Sequence, residues 1–295
     1  MVPPAHITEC PRDALQGLAH FVPTEEKIAY LNALLQVGFP VLDAASFVSP
    51  KAIPQMRDAA EVLHHLDRTG SDTRILSVVV NARGAQEACA HPQVDALGYP
   101  FALADTCQQR NSKKPLADSW PLLQEIQALA AEHGKTLKVY LSMGFGNPYG
   151  DPWSPALVSE TVERMAHMGI RHLLLADTVG NADPADVQAL YETLIPQYPD
   201  MTFGAHFHST PQDWRPKVAA AWAGGCRHYD AALQGYGGCP FAEDDLVGNL
   251  ATEHLMMFLE EQGAIPRLDP AALRRAQEMA PRIFQAPHPE KAGEA

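Results

Sequence analysis

Short runs of apolar residues alternate along the chain with stretches in which apolar positions recur every three or four residues. The first pattern belongs to buried strands and the second to helices lying on them. Apolar runs at 7–10, 41–44, 74–80, 94–97, 137–142, 172–176, 202–208 and 227–232 predict eight strands. Helical patterns follow at 24–37, 54–66, 84–90, 121–133, 157–168, 184–195 and 216–223, with two more at 249–262 and 270–279. Several ends are marked. Thr24 stands as an N-cap ahead of Glu25 and Glu26, Pro54 opens a first turn, and Gly38, Gly134 and Gly169 follow helices. Residues 101–119 read as a long polar loop, and 144–155 and 235–245 as glycine-bearing loops.

A strand followed each time by a helix predicts a parallel sheet of the α/β class. Eight such units in 295 residues favour a closed (β/α)₈ TIM barrel, with the last two helices packed on it. An open doubly wound sheet is disfavoured, because no Gly-x-Gly-x-x-Gly turn follows the first strand. The expectation is one domain over residues 1–286 and a small, polar, disordered tail over 287–295.

Composition narrows the class further. The chain is 46% hydrophobic with a formal charge of −13, which argues against nucleic acid as a partner. Its five cysteines are odd in number and form no Cys-x-x-Cys pair, which fits a reducing compartment. Neither a signal core nor an apolar run of about 18 residues is present, so the expected protein is cytoplasmic and off the membrane. Lys51, Arg110, Lys113 and Lys114 are candidate contacts for an anionic cofactor.

The chemistry gathers at predicted strand ends, where barrels of this kind place their active sites. In the seventh strand, His206 and His208 share one face and Phe207 turns away. Two imidazoles side by side begin a divalent metal site. Arg12 and Asp13 follow the first strand, Asp43 and Ser46 lie at the second, Asp177 follows the sixth and Cys239 the eighth. Each has a plainer role open to it: Asp13 as a helix cap, Asp177 as a turn former, Cys239 as a small buried residue. Charge at nearly every strand end exceeds what a structural barrel needs. Oxygen and nitrogen donors without a thiolate cluster suit Mg²⁺ or Mn²⁺ and a chelating substrate.

Four segments resemble 3-hydroxy-3-methylglutaryl-CoA lyase and its bacterial homologues. They are Cys10-Pro11-Arg12-Asp13-Ala14-Leu15-Gln16, Ala45-Ser46-Phe47-Val48-Ser49-Pro50-Lys51, the His206/His208 strand, and Gly237-Gly238-Cys239-Pro240 with Gly248-Asn249-Leu250-Ala251-Thr252-Glu253. The resemblance implies Asp13, His206, His208 and Asn249 as metal ligands. It implies Arg12 as the partner of a substrate enolate and Cys239, on a mobile loop, in proton transfer. Asp43 falls where the family has a catalytic-site glutamate. The implied reaction is retro-Claisen cleavage of an acyl-CoA substrate, 3-hydroxy-3-methylglutaryl-CoA, to acetyl-CoA and acetoacetate. A homodimer is implied in the same way.

Four departures stand out. Asp43 is one methylene shorter than the family's glutamate, and Ala14 replaces a glycine. Ser209-Thr210-Pro211 replaces the usual Asp-Thr-Tyr, which is expected to alter the surroundings of the metal, and His254 follows Glu253 where an aspartate is common. Other readings are a lyase for a different 3-hydroxyacyl-CoA, a Claisen-type condensing enzyme, and a non-catalytic metal- or CoA-binding barrel. The condensing enzymes usually carry Asp-Arg-Glu at the first strand, where this chain has Arg12-Asp13-Ala14.

Overall fold

Alternation within each strand decides which side chains enter the barrel and which meet the helices. In β5 (Thr136–Ser142), Leu137, Val139 and Leu141 face outward into the main apolar core. Thr136, Lys138, Tyr140 and Ser142 face inward. The core therefore lies between the sheet and its helices, while much of the interior is polar. A small apolar plug of Leu76, Val78 and Ala96 separates the two ends.

The computed structural model describes residues 3–113, 115–238 and 247–285. The other strands are β1 (His6–Glu9), β2 (Val41–Ser46), β3 (Arg74–Val78), β4 (Ala96–Ala102), β6 (His172–Asp177), β7 (Thr202–Phe207) and β8 (His228–Ala231). All eight pair in parallel with their sequence neighbours, and β8 returns to β1 to close the barrel. The helices are α1 (Pro11–Gln16), α2 (Thr24–Leu35), α3 (Ala59–His64), α4 (Ala82–Cys89), α5 (Asp105–Ser112), α6 (Ser119–Glu132), α7 (Pro155–His167), α8 (Pro184–Gln197), α9 (Trp214–Ala223), α10 (Thr252–Glu261) and α11 (Pro270–Phe284). Side-chain caps by Asn81, Ser154, Asp183 and Asp269 fix the starts of α4, α7, α8 and α11. No helix among the described residues is long and apolar enough to cross a membrane.

The structure corrects four expectations. Thr24 does not cap α2; its hydroxyl donates to Asp58 Oδ2 at 2.9 Å, and Pro23 holds the cap position. Helix 54–66 divides into a 3₁₀ turn, Pro54–Met56, and the shorter α3. The fourth strand starts later and runs through Pro100 to Ala102, because pairing with β5 continues past the proline. The long loop at 101–119 holds α5. Lys114 and residues 287–295 lie outside the described residues.

Glu9 joins the two ends of the chain across the β8–β1 seam. It is fully buried and accepts the Leu233 N–H at 2.7 Å and the Thr252 hydroxyl at 2.6 Å. Burial pushes its carboxyl up to about 8, against the pull of those two donors. The folded chain thus holds a proton that the unfolded chain releases near pH 4.5, and stability falls as pH rises from there through about 8. Glu9→Gln removes this slope. Its melting temperature relative to the parent is expected to be higher at pH 8.5 than at pH 5, and parallel melting curves across that range count against the assignment.

Candidate metal and substrate site

Three donor atoms converge at the C-terminal mouth of the barrel. One each from Asp13, His206 and His208 lie within 4.8 Å of one another. Asp13 comes from α1, which starts immediately after β1. His206 is the last inward residue of β7, and His208 lies just past its end. Phe207 turns outward into the core against Phe145, as the alternation predicts. Asn249 arrives by pairing: it bridges to His208, with the Leu250 N–H on Phe207 O at 3.0 Å and the Ser209 N–H on Gly248 O at 2.8 Å.

The hydrogen bonds fix which atoms face the site. His208 Nδ1 lies 2.8 Å from Thr178 O, so it donates, and Nε2 carries the lone pair. That Nε2 is buried and has no hydrogen-bond partner among the described residues. Burial, reinforced by neighbouring His206, pulls His208 down to about 4, so the ring stays neutral. His206 Nδ1 lies 3.2 Å from Asp230 Oδ2. Burial disfavours its charged form, but Asp230 outweighs burial and raises it. Burial also works to raise Asp13, yet the neighbouring Arg12 guanidinium holds its carboxyl below the usual range. Asn249 Nδ2 donates to Asp13 Oδ2 at 3.0 Å and Tyr236 O at 2.9 Å. Both amide hydrogens are committed, which leaves Oδ1 as the only donor atom Asn249 can offer a cation.

A carboxylate, two oriented imidazoles and an amide oxygen fit a divalent cation. The orphaned Nε2 of His208 is the sharpest sign, since a buried imidazole lone pair without a partner is costly unless something binds it.

Arg12 occupies the adjoining wall. Its Nε and Nη2 fork onto Asp43, at 3.0 and 2.6 Å to Oδ2, and Nη1 donates to Asp13 Oδ1 at 2.8 Å. These contacts use three of the five guanidinium N–H bonds. Two remain for a ligand. The pocket in front holds about 200 Å³ and is lined by Arg12, Asp13, Tyr140, Ser142, His206 and His208 over an apolar floor that includes Val78 and Pro100.

Other expected residues have different places. Asp177 accepts the Asn181 and Ala182 N–H groups and Lys217 Nζ, which makes it a loop anchor. Asp43 is 1% exposed and touches Arg12 rather than the pocket, so it positions the guanidinium. Ser46 lines a separate cleft with Asn81 and Arg83. Lys51, Arg110 and Lys113 are exposed and do not line the pocket. Cys239 lies outside the described residues.

The HMGL-like family model matches residues 6–280. The chain belongs to the HMGL-like family. A hydroxymethylglutaryl-CoA lyase of Bacillus subtilis is 33% identical over 85% of this chain and 83% of its own length. The (R)-citramalyl-CoA lyase of Chloroflexus aurantiacus is 32% identical over 97% and 92%. A solved HMG-CoA lyase from Acinetobacter baumannii, in complex with coenzyme A and 3-methylmalate, superposes with a TM-score of 0.88 at 32% identity, covering 99% and 95% of the two chains. As an HMGL-like protein, the chain is a carbon–carbon lyase.

Two departures from the HMGL-like pattern have small structural effect. Asp43, although shorter than glutamate, still reaches Arg12 with both oxygens. Ala14 lies in α1, so no positive φ is required of it. In place of segment 209–211, Thr178 O holds His208 Nδ1, while Lys217 Nζ reaches His208 O at 3.3 Å. Sequence reasoning missed Lys217, and it missed Lys138, whose Nζ holds Asp230 Oδ1 at 3.0 Å behind His206. A lysine alternating with inward Tyr140 and Ser142 was the available signal.

Gly237 has φ +97, and a Cβ there would lie 2.6 Å from Asn249 Nδ2 and 2.7 Å from Ala14 Cα. Gly237→Ala is expected to displace Asn249 and lower kcat/KM by about 10–100-fold, since misplacement near 1 Å has effects of that size. Steady-state kinetics check this, and unchanged kcat/KM would show that the close approach is not needed.

Proposed function

We propose that this lyase cleaves 3-hydroxy-3-methylglutaryl-CoA to acetyl-CoA and acetoacetate in a divalent-metal-dependent retro-Claisen reaction. The observation that supports it is the convergence of the Asp13/His206/His208 donors and two spare Arg12 N–H groups on one pocket. Asp13, His206, His208 and Asn249 would hold the ion, with Mg²⁺ or Mn²⁺ favoured by the oxygen and nitrogen donor set. A divalent cation supplies Lewis acidity there, lowering the pKa of the substrate's tertiary hydroxyl.

The chain's residues carry the rest. Asp13 or His206 takes the hydroxyl proton. As the alkoxide collapses to a ketone, the carbon–carbon bond electrons pass to the thioester side and form an enolate. Arg12 directs its two remaining N–H groups at that oxygen, and Asp43 keeps the guanidinium in place. Cys239 is the proposed proton donor to the enolate carbon, completing acetyl-CoA. The apolar floor at Val78 and Pro100 takes the substrate's methyl and methylene groups.

A second reading is cleavage of citramalyl-CoA, which would release pyruvate in place of acetoacetate. The near full-length match to the Chloroflexus enzyme favours keeping it. One assay separates the two. Purified protein is incubated with Mg²⁺ and each thioester, with chelator in parallel, and acetoacetate and pyruvate are measured. Metal-dependent acetoacetate is the expected result. Pyruvate from citramalyl-CoA alone would move the assignment to the second reading, and turnover indifferent to chelator would overturn both.

A further inference from the structure

The opposite end of the barrel is built unlike an inert plug. In barrels of this architecture the interior is normally filled by layers of branched apolar side chains. Here the N-terminal mouth opens into a cavity of about 270 Å³ lined by His6, Arg74, Lys138, His172 and His228. Pairing between strands sets them around the rim: His6 lies opposite His228 across the seam, and Lys138 opposite His172. The His6 and His228 rings stack at 4.5 Å and 10°. Thr8, Thr136 and Thr202 add hydroxyls, and no Asp or Glu among the described residues lines the cavity.

Of the nearby acids, Asp95 is engaged outside the cavity and Asp230 behind it. Asp95 accepts from Arg68 at 3.1 Å and from the Ile75 N–H at 2.7 Å. Asp230 is shared between Lys138 and His206. Arg74 donates to the Thr136 hydroxyl at 2.8 Å and to the Asp95 carbonyl, both neutral oxygens. A chain of net charge −13 thus places Arg74, three imidazoles and Lys138 around one cavity, Lys138 being paired with Asp230 and donating to the Thr8 hydroxyl at 3.0 Å. The arrangement is not a metal site. Among the described residues the sole group of His, Cys, Asp or Glu donors close enough to hold an ion is Asp13/His206/His208, and Arg74 and Lys138 would repel a cation.

We propose that this N-terminal cavity binds a small multivalent oxyanion, a phosphoryl or polycarboxylate group held by Arg74, Lys138 and the His6, His172 and His228 rings. Guanidinium and ammonium groups supply charge-assisted hydrogen bonds, and the imidazole N–H groups complete the donor set. The site lies at the far end of the barrel from the catalytic pocket.

Isothermal titration of the full chain at constant ionic strength tests it, with inorganic phosphate, pyrophosphate, citrate and chloride as probes. The expected result is saturable 1:1 binding of at least one multivalent probe, tighter than about 1 mM, with no saturation by chloride. Tighter phosphate or pyrophosphate assigns a phosphoryl ligand, and tighter citrate a carboxylate one. Arg74→Gln combined with His172→Asn should weaken binding at least about tenfold, equivalent to 1.4 kcal/mol. Should that double variant melt early, His6→Gln at the exposed rim gives the same readout with less disturbance. Equal response to chloride, affinity weaker than about 1 mM, or binding unchanged in these variants overturns the proposal.

Discussion

Arg12→Lys is expected to lower kcat/KM by about 10²–10³-fold, the usual effect of losing one positioned donor to a developing oxyanion. Lysine keeps a positive charge beside Asp43 but cannot contact Asp43 and Asp13 while also offering two N–H groups to the pocket. Folding should survive. Arg12→Met separates the two roles, because it strands Asp43, which is 1% exposed, with no cation. Removing one partner of a buried pair costs about 3–5 kcal/mol. The Met variant should therefore lose both activity and melting temperature, and the Lys variant mainly activity. A Lys variant with near-parental kcat/KM would remove Arg12 from the enolate step.

The second large effect is expected at His208. Among the described residues its Nε2 has no hydrogen-bond partner, so His208→Ala removes the bond from Nδ1 to Thr178 O and the ring contact with His206. The metal-free variant should lose about 1–2 kcal/mol of stability, mostly from the vacated volume and the lost bond. The metal-dependent gain should vanish altogether. A site bound at 100 times its Kd stabilises the folded chain by about 2.7 kcal/mol, and that rise in melting temperature with added Mg²⁺ or Mn²⁺ should be present in the parent and missing in the variant. Turnover should fall about 10³-fold or more, in line with the loss of Lewis-acid activation. An ion-induced rise that persists in the variant would place the ion elsewhere.

The order of strands was readable because each outward face is apolar and each strand is closed by a turn signal. The His206/His208 pair was readable because a strand has a period of two. Other features depend on contacts that no local pattern carries. Helix α5 has a mainly polar sequence with no apolar stripe; it is held by Cys107 in a small cluster with Ala104 and Met143 and by tertiary bonds such as Thr106 to Asp151. Strand β4 contains Gly98 and Pro100, two residues that argue against a strand. Gly98 is tightly packed there: a Cβ would lie 3.0 Å from side-chain carbons of Leu76 and Tyr140. The Lys138–Asp230 pair spans 92 positions and exists only once the barrel has closed. Asn249 was placed by resemblance alone; the bridge to His208 supplies the physical reason for its position.

The seam between β8 and β1 also governs when the molecule acquires its chemistry. Asp13 and Asn249 meet across 236 positions, and Glu9 and Thr252 across 243. Contacts of such long sequence separation carry the largest loop-closure entropy and favour slow folding. During synthesis, β7 and both histidines emerge before the segment that holds Asn249. A nascent chain can then carry an imidazole pair without the amide that orients Asp13. Competence should appear in a single late step, with ring closure, and recovery of activity after dilution from denaturant would time that closure directly.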